Sequence, residues 1–167
     1  MIVYILRHGI AEERRAGRAD EKRALTEEGR AKLTQVLKRA RAAKVSPSLI
    51  LTSPYVRAAQ TAGVAARVLN VKKKPVRTDA LLPSSSPEEV WRELRARHEE
   101  NAVLLAGHEP LLSQTASYLL GEERTIIELK KGALAAIELG TSGKAPEGVL
   151  QWLLTPKIAG GKAEADD

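Results

Sequence analysis

The sequence contains no cysteine and no phenylalanine. Without cysteine the chain can form no disulfide, no thiolate metal site and no cysteine nucleophile. The absence is also compatible with a reducing compartment. Aromatic residues make up only 3% of the chain, so leucine, valine, isoleucine and alanine have to fill its core.

Long apolar runs are missing as well. No stretch approaches the roughly 18 apolar residues that a membrane span requires. The N-terminus also lacks the basic region and the apolar length of a signal peptide. We therefore expect a cytoplasmic protein that does not associate with a membrane.

Length and charge are those of a soluble globular chain. The 167 residues are 43% hydrophobic and 29% charged, which predicts one domain with its own core. We expect this domain to cover residues 1–158, followed by a flexible tail over residues 159–167. The net charge is +6, but acids and bases mostly alternate, and the basic triplet Lys72 to Lys74 has no aromatic neighbours. No nucleic-acid partner is predicted.

Apolar runs alternate with amphipathic stretches along the chain, a pattern typical of α/β proteins. The predicted strands are Ile2–Leu6, Leu49–Leu51, Val76–Leu82, Ala102–Ala106, Ala133–Leu139 and Val149–Leu154. The predicted helices run from Glu27 to Lys44, from a Ser53 cap to Leu69, from Pro87 to Glu100 and from Leu111 to Leu120. The fold expected is a three-layer α/β sandwich. Its central sheet is mostly parallel and flanked by helices, with the last two strands as an antiparallel pair at one edge.

Polar residues follow three of these strands where each strand ends, at Arg7 to Gly9, Thr52 to Pro54 and Gly107 to Glu109. Ligands of open α/β sheets bind beyond the carboxyl ends of the strands. Arg57 lies one turn into the second helix and can point back over the same edge. Two arginines and two histidines would form a positive site there, and guanidinium groups match phosphate oxygens.

These segments resemble the motifs of the histidine phosphatase superfamily. They are Arg7-His8-Gly9, Ser53-Pro54 with Arg57 and the following Ala58-x-Gln60-Thr61-Ala62, and Gly107-His108-Glu109-Pro110. The short chain and the Gly-His-Glu-Pro form are most similar to the SixA-type phosphohistidine phosphatases. The resemblance implies a phosphoglycerate-mutase-like fold and an enzyme that uses neither a metal nor another cofactor.

The resemblance also implies roles for individual residues. His8 would be phosphorylated transiently, and Arg7, Arg57 and His108 would bind the phosphoryl group and stabilise its charge. His8 has to be neutral to attack, whereas His108 can be cationic and donate to phosphate. Gly9 is a further substrate-binding candidate. A metal site is not expected, because the two histidines have no carboxylate or thiol companions at ligand spacing.

Arg23 is the remaining substrate-binding candidate. It precedes Leu25-Thr26, where SixA-type sequences carry Arg-Pro-Leu-Thr, but Ala24 replaces the proline. Arg23 either lines the mouth of the site or lies in solvent. Among other polar residues, His98 is expected on the surface. Glu109 is expected to be a charge at the start of a helix, with support of His108 as the alternative.

One feature of the superfamily is missing. Phosphoglycerate-mutase-like members carry a glutamate after the third strand that protonates the leaving group. The corresponding stretch here, Leu81 to Ser86, has no acid. The imidazole of phosphohistidine leaves more readily than an alkoxide, so the absence favours a phosphoramidate substrate. Glu12, Glu13 or Asp20 could supply the acid if the long polar segment from Ile10 to Ala24 folds inward.

The function predicted is therefore a phosphohistidine phosphatase acting in signal transduction on a histidine-containing phosphotransfer domain. A phosphatase of small phosphoesters or polyphosphate is the alternative within enzymes. A phosphate-binding module without turnover is the alternative outside them. An intact nucleophile, His8, argues against the binding module, because binding alone does not need it.

Overall fold

A computed structural model describes residues 1–140 and 145–160. Six strands form one mixed sheet in the order β3-β2-β4-β1-β5-β6. The strands are β1 (Ile2–Arg7), β2 (Leu49–Thr52), β3 (Val76–Arg77), β4 (Ala102–Gly107), β5 (Leu134–Leu139) and β6 (Gly148–Leu154). The first four strands pair in parallel, and β5 and β6 complete one edge in antiparallel pairing. The predicted fold class is confirmed.

Helices cover both faces of the sheet. They are α1 (Glu27–Ala42), α2 (Val56–Val68), α3 (Pro87–Arg95), α4 (Leu111–Leu119) and α5 (Pro156–Gly160). Alternate residues of β1 enter two separate cores: Tyr4 and Leu6 pack with α1 and α2, and Val3 and Ile5 pack with α3 and α4. A central strand that is covered on both sides needs apolar residues at every position, which explains the unbroken run at the start of the chain.

Two helix starts follow the capping rules on which their prediction depended. The Thr26 hydroxyl accepts a hydrogen bond from Gly29 N at 3.0 Å. Ser86 and Glu89 form a reciprocal capping box at the start of α3. Such caps satisfy N–H groups that have no partner inside the helix, so these starts can be located from sequence alone.

The second helix starts later than predicted. Ser53 does not cap it; α2 begins at Val56, after Tyr55. The Ser53 hydroxyl instead accepts a hydrogen bond from Tyr55 N at 3.3 Å and contacts His108. The prediction from the Ser-Pro pair was wrong, because a tertiary contact engages the hydroxyl that local capping would have used.

The third strand is also shorter than predicted, two residues instead of seven. After Arg77 the chain forms a 3-10 turn over Asp79–Leu81. This turn buries Leu81, which is 1% exposed, against the core beside α3 and α4. Strand β3 lies at the sheet edge and pairs with β2 alone, so burial of Leu81 outweighs the few further ladder hydrogen bonds that a longer strand would make.

The remaining differences lie near element ends. Helix α3 ends at Arg95 rather than at Glu100. The predicted tail, 159–167, begins inside α5, where Ala159 is buried and accepts a hydrogen bond from Arg39 Nε at 3.3 Å. Residues 161–167 of that tail, and 141–144 between β5 and β6, lie outside the described residues.

No helix within the described ranges is both long enough and apolar enough to cross a membrane.

Hydrogen bonds across the sheet align three strand ends. His8 N donates to Gly107 O and Ser53 N donates to Ala106 O, each at 3.0 Å. Because β1, β4 and β2 are neighbours, the polar residues that follow them share one edge. The fold thereby gathers segments that are about 50 residues apart in sequence.

Candidate active site

His8 follows β1 and is only 7% exposed. Its Nδ1 lies 2.7 Å from Gly9 O, and since a carbonyl can only accept, Nδ1 carries the proton and Nε2 keeps its lone pair. Burial lowers the pKa of His8 to about 4; the Gly9 hydrogen bond opposes this, and the charges of Arg57, Arg7 and Lys131 add to it. The ring is therefore neutral near pH 7, as a nucleophile has to be.

Arg57, in the first turn of α2, extends its side chain to the His8 ring. It is 4% exposed, and its Nε lies 3.3 Å from His8 Nε2. Its guanidinium carbon is 5.1 Å from the centre of the Tyr55 ring. The cation thus lies next to the nitrogen of His8 that carries the lone pair.

His108 follows β4 and is 2% exposed, with its ring centre 5.2 Å from that of His8. Burial is the main cause that lowers the pKa of His108 to about 3, and His8 and Arg57 lower it further. The sequence allowed a cationic His108. The ring is neutral at pH 7, because burial and neighbouring cations disfavour a further positive charge.

Ser53 contacts one ring nitrogen of His108. Its hydroxyl oxygen accepts from Tyr55 N and lies 2.9 Å from His108 Nε2. Because this oxygen already accepts one hydrogen bond, we expect the hydroxyl to donate to Nε2, which would leave the His108 proton on Nδ1. That Nδ1 is buried and has no hydrogen-bond partner among the described residues. With the proton there, Nδ1 would be a donor available to an oxyanion.

Arg7 is the last residue of β1 and precedes His8. Its Nη1 donates to Leu129 O at 2.6 Å, and its Nε is buried without a described partner. The segment that contains Leu129 is held by Gly132 N, which donates to both Arg7 O and His8 O. Exposed Lys131 lies on this segment and lowers the pKa of His8. Lys131 was missed from sequence because it lies outside the resembling motifs.

Gly9 connects the segment after β1 to helix α2. Its N–H donates to Thr61 Oγ1 at 3.3 Å, so this amide has a partner within the fold. The following backbone packs on the start of α1: a Cβ placed on Gly29 would lie 2.1 Å from Ile10 O. Gly29 is therefore required for the close approach of α1 to the segment that carries His8.

The long polar segment folds inward at Asp20. Asp20 Oδ2 accepts from Arg57 Nη2 at 2.9 Å, and Asp20 Oδ1 accepts from Arg23 Nε at 2.9 Å. The Arg23 side chain is 15% exposed, which decides between the two alternatives for this residue: it lies beside the site. Glu12 does not point inward; its carboxylate accepts from Ala24 N and pairs with Arg18. Glu13 is exposed.

Two other carboxylates lie near the motifs without entering the site. Glu109 Oε1 accepts from Ser113 N at 3.2 Å, which is the helix-start role expected for it. Asp79 lies two residues after the shortened β3, so the stretch that follows this strand does contain an acid, but Asp79 is exposed and lines a surface pocket with Arg92 and Glu93 of α3. His98 lies on the surface as expected, with its side chain 75% exposed.

The described residues contain no group of three or more His, Asp or Glu side chains arranged to hold a metal ion. The site instead presents four nitrogen-bearing side chains, Arg7, His8, Arg57 and His108. The fold brings these four residues together. The catalytic role of each one remains a prediction. The arrangement suits a tetrahedral oxyanion next to a nucleophilic nitrogen.

Comparison with known proteins agrees with this chemistry. The family model of the histidine phosphatase superfamily (branch 1) matches residues 3–83, which include the first two motifs. This match, together with the similarity to solved structures of SixA proteins, places the chain in the histidine phosphatase superfamily. The activity that this membership indicates is that of a phosphatase.

Solved structures of SixA proteins resemble this chain over nearly their full length. The protein histidine phosphatase SixA in complex with tungstate is 28% identical, with a TM-score of 0.84 over 94% of this chain and 98% of that chain. A protein from Agrobacterium tumefaciens assigned as a SixA phosphohistidine phosphatase is 26% identical, with a TM-score of 0.79 over 93% and 97%. An uncharacterized protein from Picosynechococcus sp. is 30% identical over 145 residues, 85% of this chain and 87% of that one.

Proposed function

We propose that this protein is a phosphohistidine phosphatase that works through a phosphorylated His8, without a metal ion. The observation that carries the proposal is the His8 geometry. A neutral imidazole, its proton held on Nδ1 by Gly9 O, presents the Nε2 lone pair 3.3 Å from Arg57 Nε. Phosphoryl transfer depends mainly on positioning and charge neutralisation, and arginines next to a ready nucleophile provide both.

In the first step His8 Nε2 attacks phosphorus. The bond from phosphorus to the substrate nitrogen breaks, and the substrate imidazole leaves as a neutral ring when its other nitrogen is protonated. In the second step water attacks the phosphorus on His8, inorganic phosphate forms and the His8 lone pair is restored. Arg7, Arg57 and the Nδ1–H of His108 donate to the phosphoryl oxygens throughout.

The choice of phosphohistidine as substrate is supported by the carboxylates around the site. Asp20 is bound to two arginines, Glu12 is paired with Arg18, and Asp79 faces α3. None of these three carboxylates forms a hydrogen bond with His8 Nε2 within the described residues. An alkoxide leaving group would need such an acid, which typically contributes about 10²- to 10⁴-fold in rate.

A protein substrate, a histidine-containing phosphotransfer domain in the cytoplasm, is part of the same proposal. Lys131 and Arg14 are exposed next to residues of the site, the Arg14 side chain by 80%. Exposed cations around a buried site favour an approaching surface that carries carboxylates as well as the phosphoryl group. Replacing Lys131 with glutamate should then lower kcat/KM for the phosphorylated domain more than for free phosphohistidine.

The decisive experiment compares substrates on the purified protein. We expect kcat/KM to be highest for phosphohistidine, lower for aryl phosphates and lowest for simple alkyl phosphates. The His8→Asn variant is the control for contaminating phosphatase. Equal or faster hydrolysis of alkyl phosphates would overturn the proposal and indicate a small phosphoester. In that case Asp79→Asn and Glu12→Gln would identify the acid.

A further inference from the structure

The carboxylate of Asp20 binds two arginines of the site, Arg57 and Arg23. It accepts from Arg57 Nη2 and from Arg23 Nε, each at 2.9 Å, and Arg14 Nε lies 3.1 Å from Oδ1. The backbone oxygen of Asp20 also accepts from Arg57 Nη1 at 2.8 Å. Both terminal nitrogens of Arg57 therefore bind this one residue.

The remaining Arg57 donor, Nε, faces the nucleophile. It lies 3.3 Å from His8 Nε2, and Arg57 as a whole is 4% exposed. An oxyanion that enters between Arg57 and His8 has to share the guanidinium with a carboxylate or to replace it. Two anions on one buried cation repel each other, and a phosphoryl dianion attracts the guanidinium about twice as strongly as a carboxylate at equal distance.

Asp20 is held in its ionised form. Burial alone would raise its pKa, but the hydrogen bond and charge of Arg57, together with Arg23, hold the pKa of the carboxyl below its ordinary value. At neutral pH Asp20 is therefore a carboxylate bound to arginines, and it has no proton to give a leaving group.

The backbone around Asp20 forms one short turn that Arg57 holds to the site. Residues 20–22 form a 3-10 turn. The segment is anchored near its two ends, where Ala11 bridges Leu25 and Glu12 N donates to Ala24 O at 2.9 Å. Because both the carboxylate and the carbonyl of Asp20 bind Arg57, loss of these contacts would release the turn together with the side chain.

We propose that Asp20 is an internal counter-ion that competes with the phosphoryl group for Arg57, and that oxyanion binding displaces Asp20 and opens the 13–22 segment. The inference rests on the proposed role of Arg57 as a phosphoryl ligand. Asp20 lowers affinity for every oxyanion and excludes weakly bound singly charged anions. It thereby helps to make the site selective for dianions.

The first test measures tungstate binding to the full-length chain by calorimetry. We expect Asp20→Asn and Asp20→Ala to lower the Kd for tungstate by about tenfold. This is the lower end of what a charge-assisted hydrogen bond contributes, because the Asp20 side chain is 33% exposed and solvent screens its charge. Glu21→Gln is the matched control: it removes one negative charge from the adjacent, exposed position of the same turn and should change the Kd less than twofold.

The second test follows hydrogen exchange of the 13–22 segment. We expect tungstate to increase exchange there in the parent protein, and we expect Asp20→Ala to show the faster exchange without tungstate. Unchanged or weaker tungstate binding in both Asp20 variants, an equal effect of Glu21→Gln, or protection of the segment by tungstate would each overturn the inference. Neither readout needs turnover, so failure to hydrolyse phosphohistidine would refute the proposed function and leave these results interpretable.

Discussion

Replacing Ser53 with alanine removes the hydroxyl that lies 2.9 Å from His108 Nε2. Ser53 is fully buried and His108 is 2% exposed, so solvent cannot readily replace the lost partner. A buried acceptor left without a hydrogen bond costs about 1–3 kcal/mol. We therefore expect the free energy of unfolding of Ser53→Ala to fall by that amount.

The effect on activity should be larger than this stability loss suggests. Without Ser53 the His108 proton is no longer confined to Nδ1, and a phosphoryl oxygen loses a preorganised donor. Loss of one such donor costs about 10²- to 10³-fold in kcat when the donor itself is removed. Since His108 stays in place and only its proton is free to move, we expect kcat/KM to fall by about 10- to 100-fold.

Steady-state kinetics and imidazole ¹⁵N NMR would check this expectation. The chain has three histidines, so their ring signals can be assigned with single variants. In the parent protein His108 should be neutral with its proton on Nδ1, and in Ser53→Ala the two neutral forms should mix. Ser48→Ala is the control, because Ser48 donates to Ala102 O at 2.9 Å at the opposite end of β2. Unchanged kcat/KM together with an unchanged Nδ1 proton in Ser53→Ala would refute the reasoning.

Four further results are expected. His8→Asn should abolish turnover without unfolding the chain, and acid-quenched parent enzyme should carry phosphate on His8; turnover near the parent level would exclude His8 as the nucleophile. Because the pKa of His8 falls from 6.5 in the unfolded chain to about 4 in the folded one, unfolding free energy should fall as pH drops from 6.5 to 4. At 1.36 kcal/mol per pH unit the His8 contribution is about 3 kcal/mol. His108, whose pKa is also lowered, adds a loss of the same sign, so urea titrations should show that His8→Asn lacks only the His8 contribution. Gly29→Ala, whose Cβ would lie 2.1 Å from Ile10 O, should lose about 1–3 kcal/mol of stability and most activity; a parent-like melting temperature would contradict this. EDTA should leave turnover unchanged, whereas loss that a divalent cation restores would contradict the metal-free mechanism.

Much of the fold could be predicted from local patterns. The apolar run of β1, the caps at Thr26 and Ser86, and the alternation of strands with helices each reflect short-range rules that act within a few residues. Element ends were less predictable where a distant contact decides them. The early end of β3 depends on burial of Leu81, and the late start of α2 depends on a serine hydroxyl that is used elsewhere.

The candidate site likewise combines residues that could be predicted from local sequence with contacts that could not. Arg7, His8, Arg57 and His108 could be selected from the sequence, because each lies at the end of a strand or in the first turn of a helix and because the motifs resemble those of a known superfamily. Partners drawn from other parts of the chain could not be assigned. Nothing local to Ser53 indicates His108, 55 positions away.

The sequence by itself determined the alternation of elements, the residues at three strand ends and their positive charge, since these depend on side-chain type and spacing. Only the tertiary structure decided that both histidines are neutral, because burial and nearby cations lower their pKa values. The tertiary structure also decided which of several acids in the polar segment binds Arg57: it is Asp20. Charge and protonation depend on distances in space, and those distances exist only once the sheet aligns its strand ends and the segment closes over them.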